Sequence, residues 1–312
     1  MSIATRSINL CVRKRTTENG VYERLLNMPS KTDSRLWTLA SNITKCIVQC
    51  LCKLWLETLN TTKVVNKETF LKLTKSREPG RGLVTVSNHH SFWDDPLLWG
   101  FRPWSSILNL GSPCRWVPAA KEVCFKSPAS TLFYTLGQCI PIVRGHGVYQ
   151  EAMNQILDKV NTGQWVHIFP EGSVNEKKVR WRLKWGVSRI IADADVTPIV
   201  LPIYHIGLDT ISPIKTPNWL RVGKTVTIVI GEPIDYTNEV TRMKECQMSS
   251  EEILKAITDD IEEKFYLLKE ETERVHFPRI GLTFPRGVSS QVDEKLSAAN
   301  GTDVTSQPSN GR

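Results

Sequence analysis

The chain has 312 residues, 40% of them hydrophobic and 23% charged, which excludes disorder as the main state and suits a single domain with loose ends. Forty Lys and Arg against 32 Asp and Glu leave a net charge of +8, favouring an anionic partner such as a nucleic acid, a phospholipid surface or a phosphorylated substrate. The eight cysteines show neither a Cys-x-x-Cys pair nor metal-ligand spacing and read as reduced, mostly buried thiols.

Residues 1–35 form a basic N-terminal segment. Its first fifteen residues carry Arg6, Arg13, Lys14 and Arg15 and no acid, without an apolar run of secretory-signal length, a pattern compatible with mitochondrial targeting. Residues 36–60 read as a membrane-interface helix. The stretch is long enough to cross a bilayer, but Asn42, Lys45, Gln49 and Lys53 interrupt it, so a clean transmembrane helix is not expected. Trp37 and Trp55 near its ends, with Lys53 able to snorkel, suit the headgroup boundary; a buried amphipathic helix of a soluble fold is the alternative.

From 61 to 284 the pattern alternates. Short β-branched runs predict strands over 83–86, 115–117, 139–143, 165–169, 199–206 and 224–230. Helical periodicity predicts helices over 95–108, 130–136, 148–160, 180–192 and 250–274, the last capped by Ser249 or Ser250. Strands separated by helices imply an α/β fold with a central, mostly parallel sheet flanked by helices. Residues 285–312 are rich in Ser, Asn, Gly and Gln and are expected to be disordered.

The densest polar cluster, 86–96, reads VSNHHSFWDDP and falls where a predicted strand ends and a helix begins, a position favoured for reactive side chains. His89 and Asp94, five apart, can meet only with His89 in the turn and Asp94 in the first helical turn. In contact, the carboxylate would hold one imidazole N–H and leave the other nitrogen free as a base. Spacing alone is weak evidence, since His90 and Asp95 share it, and helix capping with Ser91-x-x-Asp94 as a capping box explains the acids equally well. Some eighty residues on, Phe169-Pro170-Glu171-Gly172 closes a second strand, with Pro170 ending the ladder and Gly172 allowing close backbone approach, so that the turn would present Glu171 at the sheet edge. His167, inside that strand, reads as a core histidine.

The basic stretch 177–185, KKVRWRLKW, interleaves cations with Trp181 and Trp185. It suits an anionic membrane surface or a solvated helix face; a nucleic-acid face has no helix-turn-helix, RNA-recognition or zinc signature behind it.

Together, Asn88-His89-x-x-x-x-Asp94 and Phe169-Pro170-Glu171-Gly172, in this order, resemble the two principal blocks of the glycerolipid acyltransferase family. Ala120-Lys121-Glu122, Gly137 with Arg144 in LGQCIPIVRG, and Ile199-Val-Leu-Pro202 resemble lesser blocks, so the resemblance covers about 36–268. It implies that 61–284 is an acyltransferase domain, with His89 as general base on the hydroxyl of a lysophospholipid and Asp94 orienting it. It further implies that Phe169, Pro170, Glu171 and Gly172 organise the acceptor, while Arg144 and Lys121 bind its phosphate. The implied reaction moves acyl chains between phospholipids and lysophospholipids, as in cardiolipin remodelling, with no cofactor and no metal. An acyl-CoA donor is the alternative, to which Lys121 in the Ala-Lys-Glu block points. The implied location is mitochondrial membranes, bound to one leaflet, or alternatively the endoplasmic reticulum. Backbone N–H groups near Ser91 are candidate oxyanion donors, and the absence of a Gly-x-Ser-x-Gly elbow argues against a serine acyl-enzyme.

Overall fold

The computed structural model of the protein describes residues 34–215 and 220–283. The basic N-terminal segment to residue 33 and the polar tail from 284 lie outside the described residues. Helix α1 (Arg35–Lys53) runs through a wider π-helical turn (Leu54–Thr58) to strand β1 (Thr61–Val65) and helix α2 (Lys67–Lys75). There follow β2 (Leu83–Ser87), α3 (Asp94–Leu98), a 3₁₀ turn (Trp99–Phe101), α4 (Trp104–Ile107), β3 (Val117–Ala120), α5 (Lys121–Cys124), α6 (Pro128–Leu136) and β4 (Cys139–Ile142). The second half comprises α7 (Glu151–Asn161), β5 (Trp165–Ile168), α8 (Gly186–Asp193), β6 (Ile199–Ile206), α9 (Leu208–Ile211), β7 (Thr225–Ile230), β8 (Ile234–Asp235), α10 (Thr237–Glu245) and α11 (Ser250–Arg279).

The strands form a mostly parallel central sheet in the order β1-β7-β6-β2-β5, with β8 on β6. β2 lies parallel between β5 and β6; β7 runs antiparallel to β6, and β1 is parallel to β7. β3 and β4 form a second parallel pair, joined to β5 through a parallel bridge between Trp116 and Val166. The ends of β2, β5, β6, β3 and β4 therefore emerge on one edge, where the loops carrying the polar motifs gather.

Alternation along the strands sorts side chains between two cores. Val84, Val86, Val166, Ile168 and Val200 face the layer of α7, α8, α10 and α11. Leu83, Trp165, Leu201 and Ile203 face the other layer, packed with Phe70, Leu97, Trp99 and Leu56. β2 is buried along its whole length because both faces are covered.

Several expected elements differ. The helix expected over 95–108 is divided into α3, the 3₁₀ turn and α4: Pro103 interrupts it, and Gly100 lies so close to α1 that a Cβ there would stand 2.8 Å from the Cys52 carbonyl oxygen. The helix expected over 180–192 begins only at Gly186. The preceding stretch is instead tied to α11: the Tyr266 hydroxyl bonds both the N–H and the carbonyl of Trp181 at 2.7 Å, and Leu183 N–H donates to Glu262 Oε2 at 3.1 Å. Strand β1, with two polar threonines and a lysine, carries no clear strand pattern and is held as an edge by β7. Of the described cysteines only Cys52 and Cys139 are buried, and Cys246 is exposed.

Helix α1 differs most from expectation. Lys53 does not snorkel: it is buried, its ammonium pairs with Glu57 of the next turn and lies 5.6 Å from the Trp104 ring. The Trp55 indole donates to the Arg221 carbonyl at 3.1 Å and packs on the second core, while Trp37 is half-buried. The outward face is instead an aliphatic stripe of Leu36, Leu39, Ile43, Ile47, Leu51 and Leu54, each 43–78% exposed. The inward face is polar. Ser41 donates to the Leu136 carbonyl at 2.7 Å, and Gln49 accepts from buried Arg102 at 2.8 Å. No helix among the described residues is long and apolar enough to cross a membrane.

Candidate active site

β2 ends at Ser87, and the chain turns through Asn88, His89 and His90 before α3 starts at Asp94. The turn brings His89 Nδ1 to 3.1 Å from Asp94 Oδ2. The same oxygen accepts the backbone N–H of His90 at 2.5 Å and of Ser91 at 2.7 Å. Half of the expected capping box is thus formed, the carboxylate reaching back to Ser91 N–H, while the Ser91 hydroxyl donates to the Ser212 carbonyl at 2.7 Å. Burial alone would raise the Asp94 pKa. His205, the His89 hydrogen bond and charge, and the Ser91 N–H outweigh it, so the carboxyl is held below its ordinary value.

A carboxylate accepts, so His89 presents Nδ1–H to Asp94 and leaves Nε2 as a lone-pair nitrogen with no protein hydrogen bond among the described residues. The ring is partly exposed, and it stacks on Phe169 with centroids 4.1 Å apart and planes 19° from parallel. This is the geometry of a base with one face packed, one nitrogen fixed and one nitrogen available.

Asp95, which shares the spacing with His90, turns away. It forms a buried two-pronged ion pair with Arg115, with Nε 3.0 Å from Oδ1 and the second prong between Nη2 and Oδ2, and it accepts from the Trp99 indole at 3.2 Å. His90 is buried beside Asn88, and burial followed by the nearby His205 lowers its pKa to about 3.

Glu171 is not presented outward. It is buried, and its oxygens are occupied: Oε2 accepts the His89 backbone N–H at 2.8 Å and Oε1 accepts Asn175 Nδ2 at 2.9 Å. Asn175 in turn donates its own N–H to the His89 carbonyl at 2.6 Å. Burial raises the Glu171 pKa despite these donors. Gly172 is exposed with φ of +75°, and a Cβ there would meet Lys184 Cγ at 3.0 Å, so this turn needs glycine. Pro170 is buried and its carbonyl accepts Lys184 N–H at 2.8 Å. His167 is a core histidine: Nδ1 lies 2.9 Å from Thr85 Oγ1, the ring meets Trp99 edge-on, and burial lowers its pKa to about 3.

Arg144 and Lys121 follow β4 and β3 and so stand on the same sheet edge as His89. Both are exposed, and Arg144 pairs with Glu122 at 3.3 Å. With neighbouring strands about 4.8 Å apart, the β3 and β4 ends lie roughly 10–15 Å along the edge from β2. Trp181 and Trp185 are half-buried, and Trp185 packs on the first core. Three of the cations around them are paired, Lys178 with Asp209, Arg180 with Glu262 and Arg182 with Asp259, so the stretch is tied down as a strap whose basic side chains remain exposed. The N–H groups of His90 and Ser91 are consumed by Asp94 and that of His89 by Glu171, which removes them as oxyanion donors.

Sequence reasoning assigned no site role to Arg115 or His205, brought to the site by contacts 20 and 117 residues apart, nor to Asn175, which stands four residues after Glu171. Among the described residues no group of His, Cys, Asp and Glu is arranged to hold a metal.

The acyltransferase family model matches residues 61–206. Tafazzin of Drosophila melanogaster is 41% identical over 259 residues, which is 83% of this chain and 67% of that protein. An N-acylphosphatidylethanolamine synthase of Arabidopsis thaliana is 44% identical over 184 residues, 57% of this chain and 64% of that one. A Dictyostelium discoideum protein named taffazin is 36% identical over 198 residues, 62% of this chain and 69% of its own. The chain thus spans about two thirds of the length of these relatives, and the matched region includes the β2 and β5 ends that carry the His89–Asp94 pair and Glu171. The chain belongs to the tafazzin family of acyltransferases.

Proposed function

We propose that the protein moves a fatty acyl chain from a phospholipid to a lysophospholipid at a membrane surface, with cardiolipin remodelling as the setting and mitochondrial membranes as the location. The observation that carries this reading is the His89–Asp94 pair, with Nδ1 fixed at 3.1 Å and Nε2 free at the mouth of the strand ends. Nε2 takes the proton of the acceptor hydroxyl while that oxygen attacks the donor's ester carbonyl. The tetrahedral intermediate then breaks the original ester C–O bond, and the departing lysophospholipid oxygen recovers the proton from Nε2. The imidazole returns to its starting form without an acyl-enzyme, consistent with a Ser91 hydroxyl that is buried and committed to Ser212.

Glu171, with both oxygens held by His89 N–H and Asn175, braces the turn that carries the base. Phe169 packs the imidazole, and Gly172 lets the turn pass close to the Lys184 side chain. Lys121 and Arg144, exposed on the same edge, suit lipid phosphates through charge-assisted hydrogen bonds. The aliphatic stripe of α1 suits the apolar side of a headgroup layer, and the net charge of +8 suits an anionic leaflet. The basic, acid-free first fifteen residues support a mitochondrial address.

A labelled acyl chain followed from phosphatidylcholine to a lysophospholipid, with CoA absent, tests the reading. Transfer by the wild type and its loss in His89→Ala are expected; a variant with full activity refutes it. Acyl-CoA as donor is the second reading, favoured by the exposed Lys121, which has no ion pair among the described residues. Transfer that begins only on adding acyl-CoA selects it. Phosphatidylethanolamine belongs in the same assay as an acceptor, since the Arabidopsis thaliana relative is named for acylating it.

A further inference from the structure

Behind the His89–Asp94 pair lies an imidazole that the mechanism above does not use. His205, near the end of β6 and 117 residues from Asn88, is fully buried. The Asn88 side chain clamps its backbone on both sides: Nδ2 donates to the His205 carbonyl at 2.9 Å, and Oδ1 accepts the His205 N–H at 2.9 Å. Independently of that clamp, the His205 ring places Nε2 at 2.9 Å from the Asn88 carbonyl oxygen. A carbonyl only accepts, so Nε2 carries the hydrogen and Nδ1 is the bare nitrogen. That bare Nδ1 is buried with no hydrogen-bond partner among the described residues.

The backbone clamp does not depend on which side chain stands at 205, so the ring is not what joins β2 to β6. As a packing element the imidazole is a poor choice, since a buried polar nitrogen left unpaired costs stability that an aliphatic side chain would not. A feature that opposes stability inside a site calls for a functional account. The geometry supplies one. The hydrogen of Nε2 is committed to the carbonyl of Asn88, the residue before His89, and Nε2 also lies 3.8 Å from Asp94 Oδ2, too long for a hydrogen bond but close enough for the polar ring to stand beside the carboxylate. Oδ2 is the oxygen that takes His89 Nδ1–H, while Oδ1 is buried without a partner. Burial lowers the His205 pKa despite the pull of Asp94, so the ring stays neutral and does not compete with His89 for a full ion pair.

We propose that His205 is a positioning residue of the acyl transfer, its Nε2–H fixing the Asn88 carbonyl and with it the turn that sets His89 Nδ1–H against Asp94. The proposal rests on the functional reading above.

The test compares His205→Leu, which keeps volume and removes the N–H, with His205→Gln, whose amide nitrogen restores a donor near the Nε2 position. For His205→Leu, kcat should fall about 10-fold to 100-fold, the loss expected when a catalytic group is misoriented, with KM for the lysophospholipid unchanged. His205→Gln should recover most of kcat. A proton NMR readout needs no turnover: the downfield Nδ1–H resonance of His89, assigned by its loss in His89→Ala, should persist in the wild type and in His205→Gln and vanish by exchange in His205→Leu. An unchanged resonance or kcat in His205→Leu, equal losses in both variants, or a loss confined to KM would each overturn the proposal. If the leucine variant does not fold, His205→Asn takes its place, because its amide reaches only the Nδ1 position and should show the same loss. A wild type that transfers no acyl chain refutes the functional reading instead, and the resonance still decides the role of His205.

Discussion

The two longest helices among the described residues lie on opposite faces of one sheet and obey opposite rules. Helix α11 buries Ile253, Ile257, Ile261, Phe265 and Leu268 against the first core and turns its charges outward, where Lys255–Asp259, Lys264–Asp260 and Lys269–Glu273 pair at i,i+4 spacing. Helix α1 buries Ser41, Gln49, Cys52 and Lys53 and turns Leu36, Leu39, Ile43, Ile47 and Leu51 outward, a row that Leu54 of the π-helical turn continues. Water suits the outer face of α11. The outer face of α1 is an apolar stripe six side chains long, far from the usual pattern of scattered exposed residues, and it asks for an apolar neighbour. Neighbouring elements add to it: α4 exposes Trp104, and α6 exposes Leu132 and Phe133. One sequence signal, helical periodicity of apolar residues, therefore describes core packing in one helix and the opposite in the other.

The largest expected effect lies between the two helices. His89→Ala should lower acyl transfer about 10³-fold, the scale of a lost general base, while thermal stability and vesicle binding stay near wild type. An accompanying loss of vesicle binding would mean that the catalytic turn, and not α1, carries the membrane contact. Next, the triple substitution of Leu39, Ile43 and Ile47 by Ser should weaken binding to anionic vesicles on the order of 100-fold, since each aliphatic side chain transferred from water gains about 1.5–3 kcal/mol when fully buried and less at an interface. Its melting temperature should stay within a few degrees. The single changes invert the pattern: Ile261→Ala in α11 should destabilise the fold by about 2–5 kcal/mol, and Ile47→Ala by under about 0.5 kcal/mol. Chemical denaturation measures both. Equal losses would show that α1 faces a protein core after all.

A smaller difference is pH-dependent. His276 of α11 is buried with Nδ1 3.0 Å from Thr227 Oγ1, and burial, then Arg279, lowers its pKa. The folded-state value lies below the unfolded one of about 6.5, so its contribution is fully present above that pH and is lost as pH falls below it. The described part of α1 has no histidine. Hydrogen exchange between pH 7 and pH 5 should loosen the C-terminal end of α11 and leave α1 unchanged. His276→Gln should reduce the acid slope of stability by at most about 1.4 kcal/mol per pH unit.

What was legible in the sequence follows the range of each interaction. Strand β6 spans 199–206 as its β-branched run predicts, and the Ser249 cap of α11 forms, because both signals are local. The expected 95–108 helix is interrupted at Pro103, a local signal, while the packing of Gly100 against Cys52 is a contact across some fifty residues. Strand β1 depends on pairing with β7, some 160 residues away, and its own residues are too polar to announce it. The candidate site divides the same way. The spacing of His89 and Asp94 fits their contact, but the partner of Asp95 is Arg115, the partners of Glu171 are His89 N–H and Asn175, and the ring behind Asp94 comes from β6. For α1 the stretch was readable as a helix, but its orientation was not: Trp55 and Lys53, read as suiting the headgroup boundary, turn inward to Arg221 and Glu57, on contacts the local sequence does not announce, as does Gln49 to Arg102.

The finest test separates the two helices at their first residues. Ser249 caps α11 with a complete capping box: its hydroxyl accepts Glu252 N–H at 3.3 Å, and Glu252 Oε2 accepts the Ser249 N–H at 2.8 Å. Ser34 stands at the same position of α1, with extended backbone, yet makes no side-chain capping bond. A helix end that folding must fix in water gains from such a cap, whereas an end whose first turns already expose Leu36 and Leu39 gains its order from what those side chains meet. Ser249→Ala should therefore cost about 1 kcal/mol in denaturant midpoint stability, and Ser34→Ala a few tenths at most. If α1 is ordered by a bilayer, adding anionic vesicles should raise amide protection across its first two turns in both the wild type and Ser34→Ala, and should leave the first turn of α11 unaltered. Protection that rises equally at both helix starts would erase the distinction.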